Sequence, residues 1–518
     1  MTEKSITPVC DYDVVVIGGG INGAGVARDA AGRGLRVLLC EQDDLARYTS
    51  SSSTKLIHGG LRYLEHYDFK LVRHALLERE VLLRSAPHII WPLRFILPHH
   101  RELRPRWMIR LGLFLYDHIG GRKLLPKSWS VNLQSHISGA ALKDIYTSGF
   151  EYSDCWVQDS RLVVLAARDA SDRGADIRVR TTCTDLTSSD DHWLVELLDN
   201  QSGQTQQIKS RAVINAAGPW VEEVQDLQER NKVKHGVRLV KGSHVVVKKL
   251  FDHDYTYIFQ NGDGRVLFAV PYEKHFTLLG TTDIEVEGDP AGVEIETRET
   301  EYICTAVSEY FKTPVRAEEV VWSYTGVRPL FDDAAANASK VTRDYVLHLN
   351  ESGPPLVSIF GGKITTFRKL SEEVVDMVLP RLGDLGTGDL RTGDTRKAWT
   401  ASATLPGGDI PNADFDAFVT LKKSQYPWLP ESLLNDYTRN YGTLIDTLIG
   451  NASSVEELGV QFGGDLYESE VRYLMSYEWA RTAEDILWRR SRKGLHVADG
   501  TAEQVDEWMR SNPNDAAA

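Results

Sequence analysis

Apolar runs, a glycine-rich turn and an alanine-rich stretch alternate at the start of the chain. Residues 13–17 are mostly β-branched and apolar, and after the glycine-rich turn an alanine-rich pattern with helical spacing runs to Gly34. Residues 36–41 form a second apolar run. Both runs are hydrophobic along most of their length, as strands of a parallel sheet covered on both faces require. The pattern predicts a β-α-β unit.

Strand-like segments return farther along, at residues 193–197 and 211–215, and alternating runs separated by turns fill residues 235–287. The tetrapeptide Asn261-Gly-Asp-Gly264 separates the runs 255–260 and 265–270 and predicts a hairpin. We therefore expect an antiparallel sheet in the middle of the chain.

Two regions have a helical pattern. Residues 65–118 are helical in spacing and then become basic and aromatic, and residues 397–518 are mostly helical in pattern and rich in Trp and Tyr. Within the second region Thr482-Ala-Glu-Asp485 resembles a capping box, residues 489–493 carry cations suited to a helix C-terminus, and Gly494 suits the position after it. Four glycines in residues 383–393 predict a linker before this region.

Composition narrows the classes of protein. A length of 518 residues corresponds to about three domains, and 42% hydrophobic with 25% charged residues excludes disordered and fibrous chains. The formal net charge of −14 disfavours nucleic acid and anionic membranes as partners, unless a local basic patch overrides it. No stretch approaches 18 uninterrupted apolar residues, and residues 1–12 lack the apolar centre of a secretory signal. We expect neither a spanning helix nor secretion.

The five cysteines are scattered, and none forms a C-x-x-C pair or a Cys/His spacing typical of zinc. We therefore expect reduced thiols in a cytosolic compartment and no metal site.

The glycine-rich turn has the G-x-G-x-x-G spacing of dinucleotide-binding proteins. Gly18 permits the tight turn, Gly20 lets the backbone approach a pyrophosphate, and Gly23 lets the helix pack on the strand. Glu41 ends the second strand, 18 positions after Gly23, where a carboxylate accepts hydrogen bonds from ribose hydroxyls and disfavours a 2′-phosphate. The residues of this predicted cofactor site are Gly18, Gly19, Gly20, Asn22, Gly23 and Glu41.

A second candidate site combines hydroxyls, small residues and cations, which suit a phosphate-bearing ligand. By composition alone, its run of serines at residues 50–53 is equally typical of a flexible linker. Its candidate cofactor-binding residues are Thr49, Ser50, Ser51, Lys55, His58, Gly59 and Gly60.

These motifs and several others resemble the FAD-dependent, respiratory glycerol-3-phosphate dehydrogenases. The resemblance covers Ile17-Gly-Gly-Gly-Ile-Asn-Gly-Ala-Gly25 and residues 53–66, 150–155, 241–244, 280–283, 324–330, 360–368 and 479–490, in order over nearly the whole chain. Thr54, Ile364 and Phe367 depart slightly from the family pattern. None of the three departures touches the expected chemistry.

The resemblance implies FAD as the cofactor and an α/β plus α fold: a Rossmann-like FAD-binding domain, an interleaved antiparallel-sheet substrate domain and a C-terminal helical domain. It adds Ala217 and Gly218, which follow a buried strand, and Gly361, Gly362 and Thr365, which follow another, as cofactor contacts. The expected FAD-binding domain comprises residues 11–75, 150–232 and 335–382. The other expected parts are a helical, basic-aromatic segment (76–149), the substrate domain (233–334), the linker (383–396) and a helical cap (397–518).

A small phosphorylated polyol needs cations around its dianion, because an unpaired buried charge is strongly unfavourable. On the family motifs, the expected substrate-binding residues are Arg62, Tyr63, Thr281 and Arg343, and the expected catalytic residues are His244, Arg328 and Lys363. Oxidation moves a hydride from C2 to the flavin while the hydroxyl loses a proton. His244 is the residue type best suited to accept that proton near neutral pH. Which of the three takes it is left open.

The basic and aromatic segment is typical of a lipid interface. Between Arg94 and Arg110 lie five arginines and one acid, interleaved with aromatic and aliphatic residues. A buried helical element with surface arginines is the alternative. The family resemblance implies a peripheral protein on the cytoplasmic side of the inner membrane, with glycerol 3-phosphate, ubiquinone and anionic lipids as partners and a homodimer as the assembly.

Three other functions remain open from the sequence. They are an oxidase that uses O₂, a related amine or amino-acid oxidase, and a non-catalytic dinucleotide-binding redox subunit. The number of substrate-facing cations argues against the amine oxidase, and the His244, Arg328 and Lys363 motifs argue against the non-catalytic subunit.

Overall fold

The structure, a computed structural model, describes residues 10–66, 68–228, 236–332, 344–350, 352–383 and 397–513. The strands are β1 (Tyr12–Ile17), β2 (Val37–Cys40), β3 (Leu56–Ile57), β4 (Ile90–Pro98), β5 (Trp129–Asn132), β6 (Ser148–Val157), β7 (Asp176–Arg178), β8 (Thr181–Ser188), β9 (Trp193–Asp199), β10 (Thr205–Asn215), β11 (Val237–Lys248), β12 (Thr256–Gln260), β13 (Val266–Tyr272), β14 (Phe276–Gly280), β15 (Ile284–Glu285), β16 (Val320–Phe331), β17 (Val346–Asn350), β18 (Leu356–Phe360), β19 (Gln461–Gly463) and β20 (Leu466–Tyr467). The α-helices are α1 (Ile21–Gly32), α2 (Phe69–Ser85), α3 (Arg106–Ile119), α4 (Asp159–Asp172), α5 (Val221–Asp226), α6 (Thr297–Ser308), α7 (Phe367–Val378), α8 (Phe415–Gln425), α9 (Glu431–Tyr441), α10 (Ile445–Ile449), α11 (Glu468–Tyr477) and α12 (Thr501–Ser511).

The chain divides into two compact units, each built from separate stretches of sequence. The first unit comprises residues 1–50, 160–237 and 329–518, and the second comprises 51–159 and 238–328. Two sheet-based parts therefore interleave along the chain, but their boundaries differ from those expected. Residues 51–75 and 150–159, assigned above to the FAD-binding domain, belong to the second unit, and the C-terminal helical region belongs with the first.

The first unit contains a mostly parallel sheet with the order β17-β18-β10-β1-β2-β7. β1 pairs in parallel with β10 on one side and β2 on the other, and β10 pairs in parallel with β18. The predicted β-α-β unit is confirmed, since α1 joins these two neighbouring strands. α1 packs closely on α7, because a Cβ on Gly25 would lie 2.7 Å from the ring of Phe367.

The second unit contains a ten-stranded sheet in which β4 lies between β12 and β6. The predicted hairpin is confirmed, with Gln260 opposite Val266 and the Asn261 N–H donating to the Arg265 carbonyl at 2.9 Å. An aromatic-rich core that includes Phe259, Tyr310 and Phe311 packs beneath this sheet.

The expectation that residues 76–149 form a helical segment is wrong in part. Residues 90–98 form strand β4, which pairs along its whole length with β6, and residues 129–132 form β5 on the other side of β6. Pro92 and Pro98 lie within this stretch and disfavour a helix there. Only α2 and α3 of this region are α-helical.

The C-terminal region is helical, as expected, and has its own hydrophobic core. The capping box is confirmed, since the Asp485 N–H donates to Thr482 Oγ1 at 3.2 Å and the Thr482 N–H donates to Asp485 Oδ2 at 3.0 Å. The helix ends earlier than expected, because residues 485–490 form a π-helix and Gly494 lies in a separate turn of 3₁₀ helix. The cations of this helix are largely buried.

All five cysteines lie within the described residues, and all are buried and free of disulfides. Among the described helices, none combines the length and apolar character needed to cross a bilayer.

Candidate active site

Three neighbouring parallel strands of the first unit end at one edge of its sheet. Ile17 of β1 lies opposite Asn215 of β10, and Asn215 lies opposite Ser358 of β18. The small residues that follow each strand therefore come together at this edge. They are Gly18, Gly19 and Gly20 after β1, Ala217 and Gly218 after β10, and Gly361 and Gly362 after β18.

The turn between β1 and α1 accepts only glycine at two positions. A Cβ on Gly23 would lie 1.9 Å from the Gly18 carbonyl oxygen, and a Cβ on Gly18 would lie 2.5 Å from the Ala216 carbonyl oxygen. The helix therefore starts directly against the strands, with the N–H groups of its first turn and its positive dipole end at the sheet edge. Such a helix start binds phosphate groups.

Glu41 lies beside this turn, at the end of β2. Its Oε2 accepts a hydrogen bond from the Gly19 N–H at 2.7 Å, and its Oε1 accepts one from the Asp43 N–H at 2.9 Å. Burial raises the pKa of Glu41 to about 7, although the two backbone bonds act in the opposite direction. The carboxylate is thus held where a ribose hydroxyl acceptor is needed.

Asn22 supplies a test of whether a dinucleotide fits this edge. Its Nδ2 donates to the Gly361 carbonyl at 3.1 Å, while its buried Oδ1 accepts no hydrogen bond from any described residue. Gly362 has a φ of +102°, which favours glycine, and leaves backbone uncovered next to Asn22. An unsatisfied buried acceptor, exposed glycine backbone and a helix N-terminus at one sheet edge fit a flavin dinucleotide.

The remaining cofactor candidates of the first unit lie around the same elements. Ser50 Oγ accepts a hydrogen bond from the Ile21 N–H at 3.0 Å, and Ser50 lies with Thr49 in a short 3₁₀ helix whose last residue, Ser51, is the first of the second unit. The Ala217 N–H donates to Asn215 Oδ1 at 3.3 Å, which shapes the turn that contains Gly218. Thr365 is buried just before α7.

A second group of candidate residues lies in the second unit, around His244 of β11. The Nε2 of His244 lies 2.9 Å from Thr54 Oγ1, and its ring stacks on the Tyr324 ring at a centroid distance of 4.9 Å. Its Nδ1 is buried, and no described residue forms a hydrogen bond with it. Burial, with smaller contributions from Lys55 and Arg328, lowers the pKa of His244 to about 3. The imidazole is therefore neutral and is a weak base in this state.

Arg328 lies on β16 and is only half-buried. Its guanidinium pairs with Asp283 and lies 3.4 Å from the Thr282 carbonyl oxygen. A Cβ on Gly242 would lie 3.2 Å from Arg328 Nη2 and 2.8 Å from Thr281 Oγ1, so Gly242 lets both side chains lie close to β11. His244, Arg328 and Thr281 therefore share one region of the second unit.

Lys55 is held by a protein carboxylate. Its Nζ lies 2.9 Å from Asp159 Oδ1 and 3.0 Å from Asp159 Oδ2, and both side chains are buried. The ammonium also lies 5.0 Å from the centre of the Tyr324 ring. This ion pair links the segment before β3 to Asp159, the first residue of α4.

The glycine pair that follows β3 is packed against aromatic side chains. The Gly59 N–H donates to the Tyr116 hydroxyl at 2.7 Å, and a Cβ on Gly60 would lie 2.3 Å from the Tyr63 ring. His58 precedes this pair, and Arg62 follows it in the 3₁₀ helix Leu61–His66, where its side chain is half-buried.

Two of the predicted cations are not among the described residues around His244. Lys363 is half-buried in the turn between β18 and α7, in the first unit. Arg343 lies outside the described residues.

Sequence reasoning missed three side chains that surround His244 and Lys55. They are Thr54, Tyr324 and Asp159. Thr54 and Tyr324 stand inside motifs noted above, but nothing local to those motifs indicates that they contact His244. Asp159 opens α4, two residues after the end of β6, and the end of a strand is a common place for a functional carboxylate.

Two protein-family models match successive parts of the chain. Residues 13–368 match the family described as FAD dependent oxidoreductase, and residues 398–512 match the C-terminal domain of alpha-glycerophosphate oxidase. The chain is 50% identical over 501 residues to D-erythritol 1-phosphate dehydrogenase of Brucella abortus (strain 2308), with 96% of this chain and 97% of the relative covered. It is 48% identical over 502 residues to glycerol-3-phosphate dehydrogenase of Pseudomonas aeruginosa (96% and 95% covered).

A solved structure agrees. The glycerol-3-phosphate dehydrogenase from Bacillus halodurans complexed with FAD superimposes with a TM-score of 0.75 and 25% identity, covering 98% of this chain and 91% of that one. The expected fold class and the FAD cofactor are confirmed. The chain belongs to the FAD-dependent oxidoreductase family, in the group of glycerol-3-phosphate dehydrogenases that also carries the alpha-glycerophosphate oxidase C-terminal domain.

Proposed function

We propose that this protein oxidises sn-glycerol 3-phosphate to dihydroxyacetone phosphate and passes the electrons to membrane ubiquinone. The observation that carries the proposal is end-to-end similarity to a protein named glycerol-3-phosphate dehydrogenase, over 96% of the chain at 48% identity. The grouping of His244, Arg328 and Thr281 in the second unit adds a base, a cation and a hydroxyl suited to a phosphorylated alcohol.

When bound, FAD supplies the two-electron chemistry by accepting the hydride from C2 of the substrate. The residues that would hold it are the glycines after β1, the start of α1, Glu41, Asn22 and the glycines after β18. Glu41 would accept hydrogen bonds from the ribose hydroxyls, and the first turn of α1 would bind the pyrophosphate.

His244 is the preferred group to take the proton from the C2 hydroxyl. Its imidazole is neutral, its Nδ1 forms no hydrogen bond with any described residue, and Thr54 fixes the ring orientation. The cation Arg328 is one cause of its low pKa. A bound phosphate dianion offsets such a cation, so substrate binding raises the base strength of His244 at the moment it is needed. Arg328 in turn stabilises the alkoxide that develops on the hydroxyl oxygen, and Lys363 stays a candidate for the same role.

An anaerobic titration tests the proposal. Added glycerol 3-phosphate is expected to bleach the visible flavin absorbance in proportion to the substrate added, and dihydroxyacetone phosphate is expected to form in equal amount. An unchanged spectrum at saturating substrate would contradict the proposal and would favour a non-catalytic dinucleotide-binding subunit.

A second substrate is favoured by one specific observation. The relative at 50% identity is named D-erythritol 1-phosphate dehydrogenase, and its identity exceeds that of the Pseudomonas aeruginosa relative only slightly. Both substrates are polyol monophosphates, so the same base and cation serve either one. The values of kcat/KM for glycerol 3-phosphate and D-erythritol 1-phosphate, measured in parallel, decide between them.

The electron acceptor needs its own assay, because an oxidase passes electrons from the same cofactor to O₂. We expect reduction of a soluble ubiquinone analogue to be faster than formation of hydrogen peroxide, in both the presence and the absence of detergent. Peroxide formed in equal amount to the product, with no quinone reduction, would identify an oxidase instead.

Association with the cytoplasmic face of the inner membrane is part of the proposal and is supported by α3. Trp107, Leu111 and Phe114 form one stripe on this helix and are 66%, 50% and 51% exposed. Arg101, Arg104 and Arg106 are exposed nearby in the sequence. Apolar rings flanked by cations suit an anionic lipid surface. The homodimer stays a prediction.

A further inference from the structure

The loop of residues 41–50, here called the cofactor loop, carries candidate cofactor contacts at both ends. Glu41 at its start holds the Gly19 N–H, and Ser50 at its end accepts from the Ile21 N–H. In between, the Ala46 N–H donates to the Gly19 carbonyl at 3.1 Å. The position of this loop therefore determines where the Glu41 carboxylate, the expected ribose contact, lies relative to the glycine turn.

The middle of the cofactor loop is held by the C-terminal helical region of the same unit. Arg489 Nε lies 2.6 Å from Asp44 Oδ2, and Arg490 donates to both Asp44 oxygens, at 2.9 and 2.7 Å. All three side chains are almost completely buried. Charge-assisted bonds in a dry environment are stronger than exposed ones, and loss of one partner leaves a buried charge unpaired.

The π-helix explains why two consecutive arginines reach one carboxylate. The Ser491 N–H donates to the Ile486 carbonyl at 2.8 Å, which is the wider i→i+5 bond of a π-helix. Such helices are rare and are concentrated at functional sites. Here the wide turn brings the Arg489 and Arg490 side chains to the same side, toward Asp44.

A second connection reaches the residue before Asp44. Asp485, at the start of the π-helix, accepts two hydrogen bonds of 2.9 Å from Arg180. The Arg180 N–H in turn donates to the Asp43 carbonyl at 2.7 Å. Burial raises the pKa of Asp485, but neighbouring arginines lower it by more, to about 2, so the carboxylate is ionised. Asp43 and Asp44 are therefore both fixed from the C-terminal region.

We propose that the C-terminal helical region retains the cofactor, with Arg489 and Arg490 acting as positioning residues that hold the cofactor loop and so present Glu41 to the ribose of FAD. The region has no group in the cofactor contacts described above and acts through Asp44. This role is independent of which polyol phosphate the enzyme oxidises.

The test compares FAD release from holoenzyme variants. Arg489→Gln and Arg490→Gln remove the contacts to Asp44, and Arg489→Lys keeps the charge. Lys493→Gln is the matched control, because Lys493 and Glu470 form an equally buried pair, 2.7 Å apart, wholly inside the C-terminal region. Release is followed by the recovery of flavin fluorescence after dilution, at a temperature where circular dichroism shows each variant folded.

We expect FAD release to accelerate about 10-fold or more in both arginine-to-glutamine variants. Arg489→Lys is expected to restore part of the retention, and Lys493→Gln to remain near the wild-type rate while losing thermal stability. Equal acceleration in Lys493→Gln at equal loss of stability would overturn the proposal, as would wild-type release in the two arginine variants. If both glutamine variants fail to fold, Asp44→Asn and Arg489→Lys are judged against Lys493→Gln by the same criteria.

Discussion

The Nε2 atom of His244 lies 2.9 Å from the hydroxyl oxygen of Thr54, which is 190 positions earlier in the chain. This bond fixes the orientation of the imidazole. The other ring nitrogen, Nδ1, forms no hydrogen bond with any described residue. Thr54→Val removes the hydroxyl at nearly constant volume. We expect kcat to fall about 10-fold, the value of one buried hydrogen bond, while Thr54→Ser stays within about twofold of the wild type. Steady-state kinetics check this, and equal kcat in both variants would contradict it.

We expect two buried histidines of the second unit to cause part of the loss of folding stability at acid pH. Burial lowers the pKa of His244 to about 3 and that of His253 to about 4, from 6.5. The unfolded chain therefore takes up protons below pH 6.5 that the folded chain refuses, so their contribution to stability is present above pH 6.5 and is lost as the pH falls.

His244→Gln and His253→Gln should each reduce the loss of the denaturant midpoint on acidification. His253 lies 2.8 Å from the Tyr257 hydroxyl, away from the candidate catalytic residues, so its variant should keep activity and serve as the control. An unchanged acid dependence in both variants would show that other groups carry it.

Glu41 should control cofactor affinity. Glu41→Gln replaces a carboxylate that accepts ribose hydroxyls, and we expect the Kd for FAD to rise about 10- to 100-fold. Because the pKa of Glu41 is raised to about 7, wild-type affinity should weaken as the pH falls below 7, whereas the variant should lose that dependence. Fluorescence titration measures both. Asp176→Asn, in the edge strand β7, removes a carboxylate that bonds to Tyr12 and Arg178 and not to the glycine turn, so this variant should bind FAD normally.

Gly23 should tolerate no side chain. In Gly23→Ala the new Cβ would lie 1.9 Å from the Gly18 carbonyl oxygen, so α1 must move away from the strands. We expect loss of bound FAD and a lower melting temperature. Gly112→Ala is the matched control, since Gly112 also lies in a helix but has no atom near its Cβ position. Its helix should become slightly more stable, by about 0.5–1 kcal/mol. Flavin content per chain and thermal melting distinguish the two.

The exposed stripe of α3 should bind vesicles. Replacing Trp107, Leu111 and Phe114 together by serine should weaken binding to anionic vesicles at least about 10-fold, because each side chain loses apolar burial in the lipid. Activity with a soluble electron acceptor should persist.

Control replacements keep the vesicle experiment specific. Leu421→Ser with Val460→Ser removes two other exposed apolar side chains from the C-terminal region and should leave vesicle binding unchanged. Arg94 is a poor probe of lipid contact, since it pairs with Glu151 at 2.6 Å and lies over the Trp129 ring. Undiminished binding of the triple variant would show that α3 is not the contact surface.

The cofactor edge could be predicted from the sequence because its determinants are local. The turn glycines, the start of α1 and Glu41 lie within one β-α-β unit, where each residue's position along the chain fixes its place in the fold. The glycines after β10 and β18 required the family resemblance. Their convergence depends on the order in which the parallel strands pair.

The features that could not be predicted from the sequence depend on contacts between segments that are far apart along the chain. The local pattern predicts a helix over residues that form β4, because the strand that pairs with β4 is β6, which begins only at Ser148. Lys55 reads as a phosphate-binding cation within its own motif, but its partner Asp159 lies 104 positions away. The π-helix was hidden in the same way, since its two arginines look like C-terminal dipole cations until Asp44 is placed beside them.

The threading of the chain through its two units has a consequence for biosynthesis. β1 lies against β10, and β10 against β18, so the sheet that forms the cofactor edge gains its last parallel strand only when residues 356–360 have been made. Arg489 and Arg490, which fasten Asp44, emerge later still. We therefore expect stable FAD binding only after almost the entire chain has been synthesised, and a polypeptide truncated before residue 489 should lack the contacts that hold Asp44.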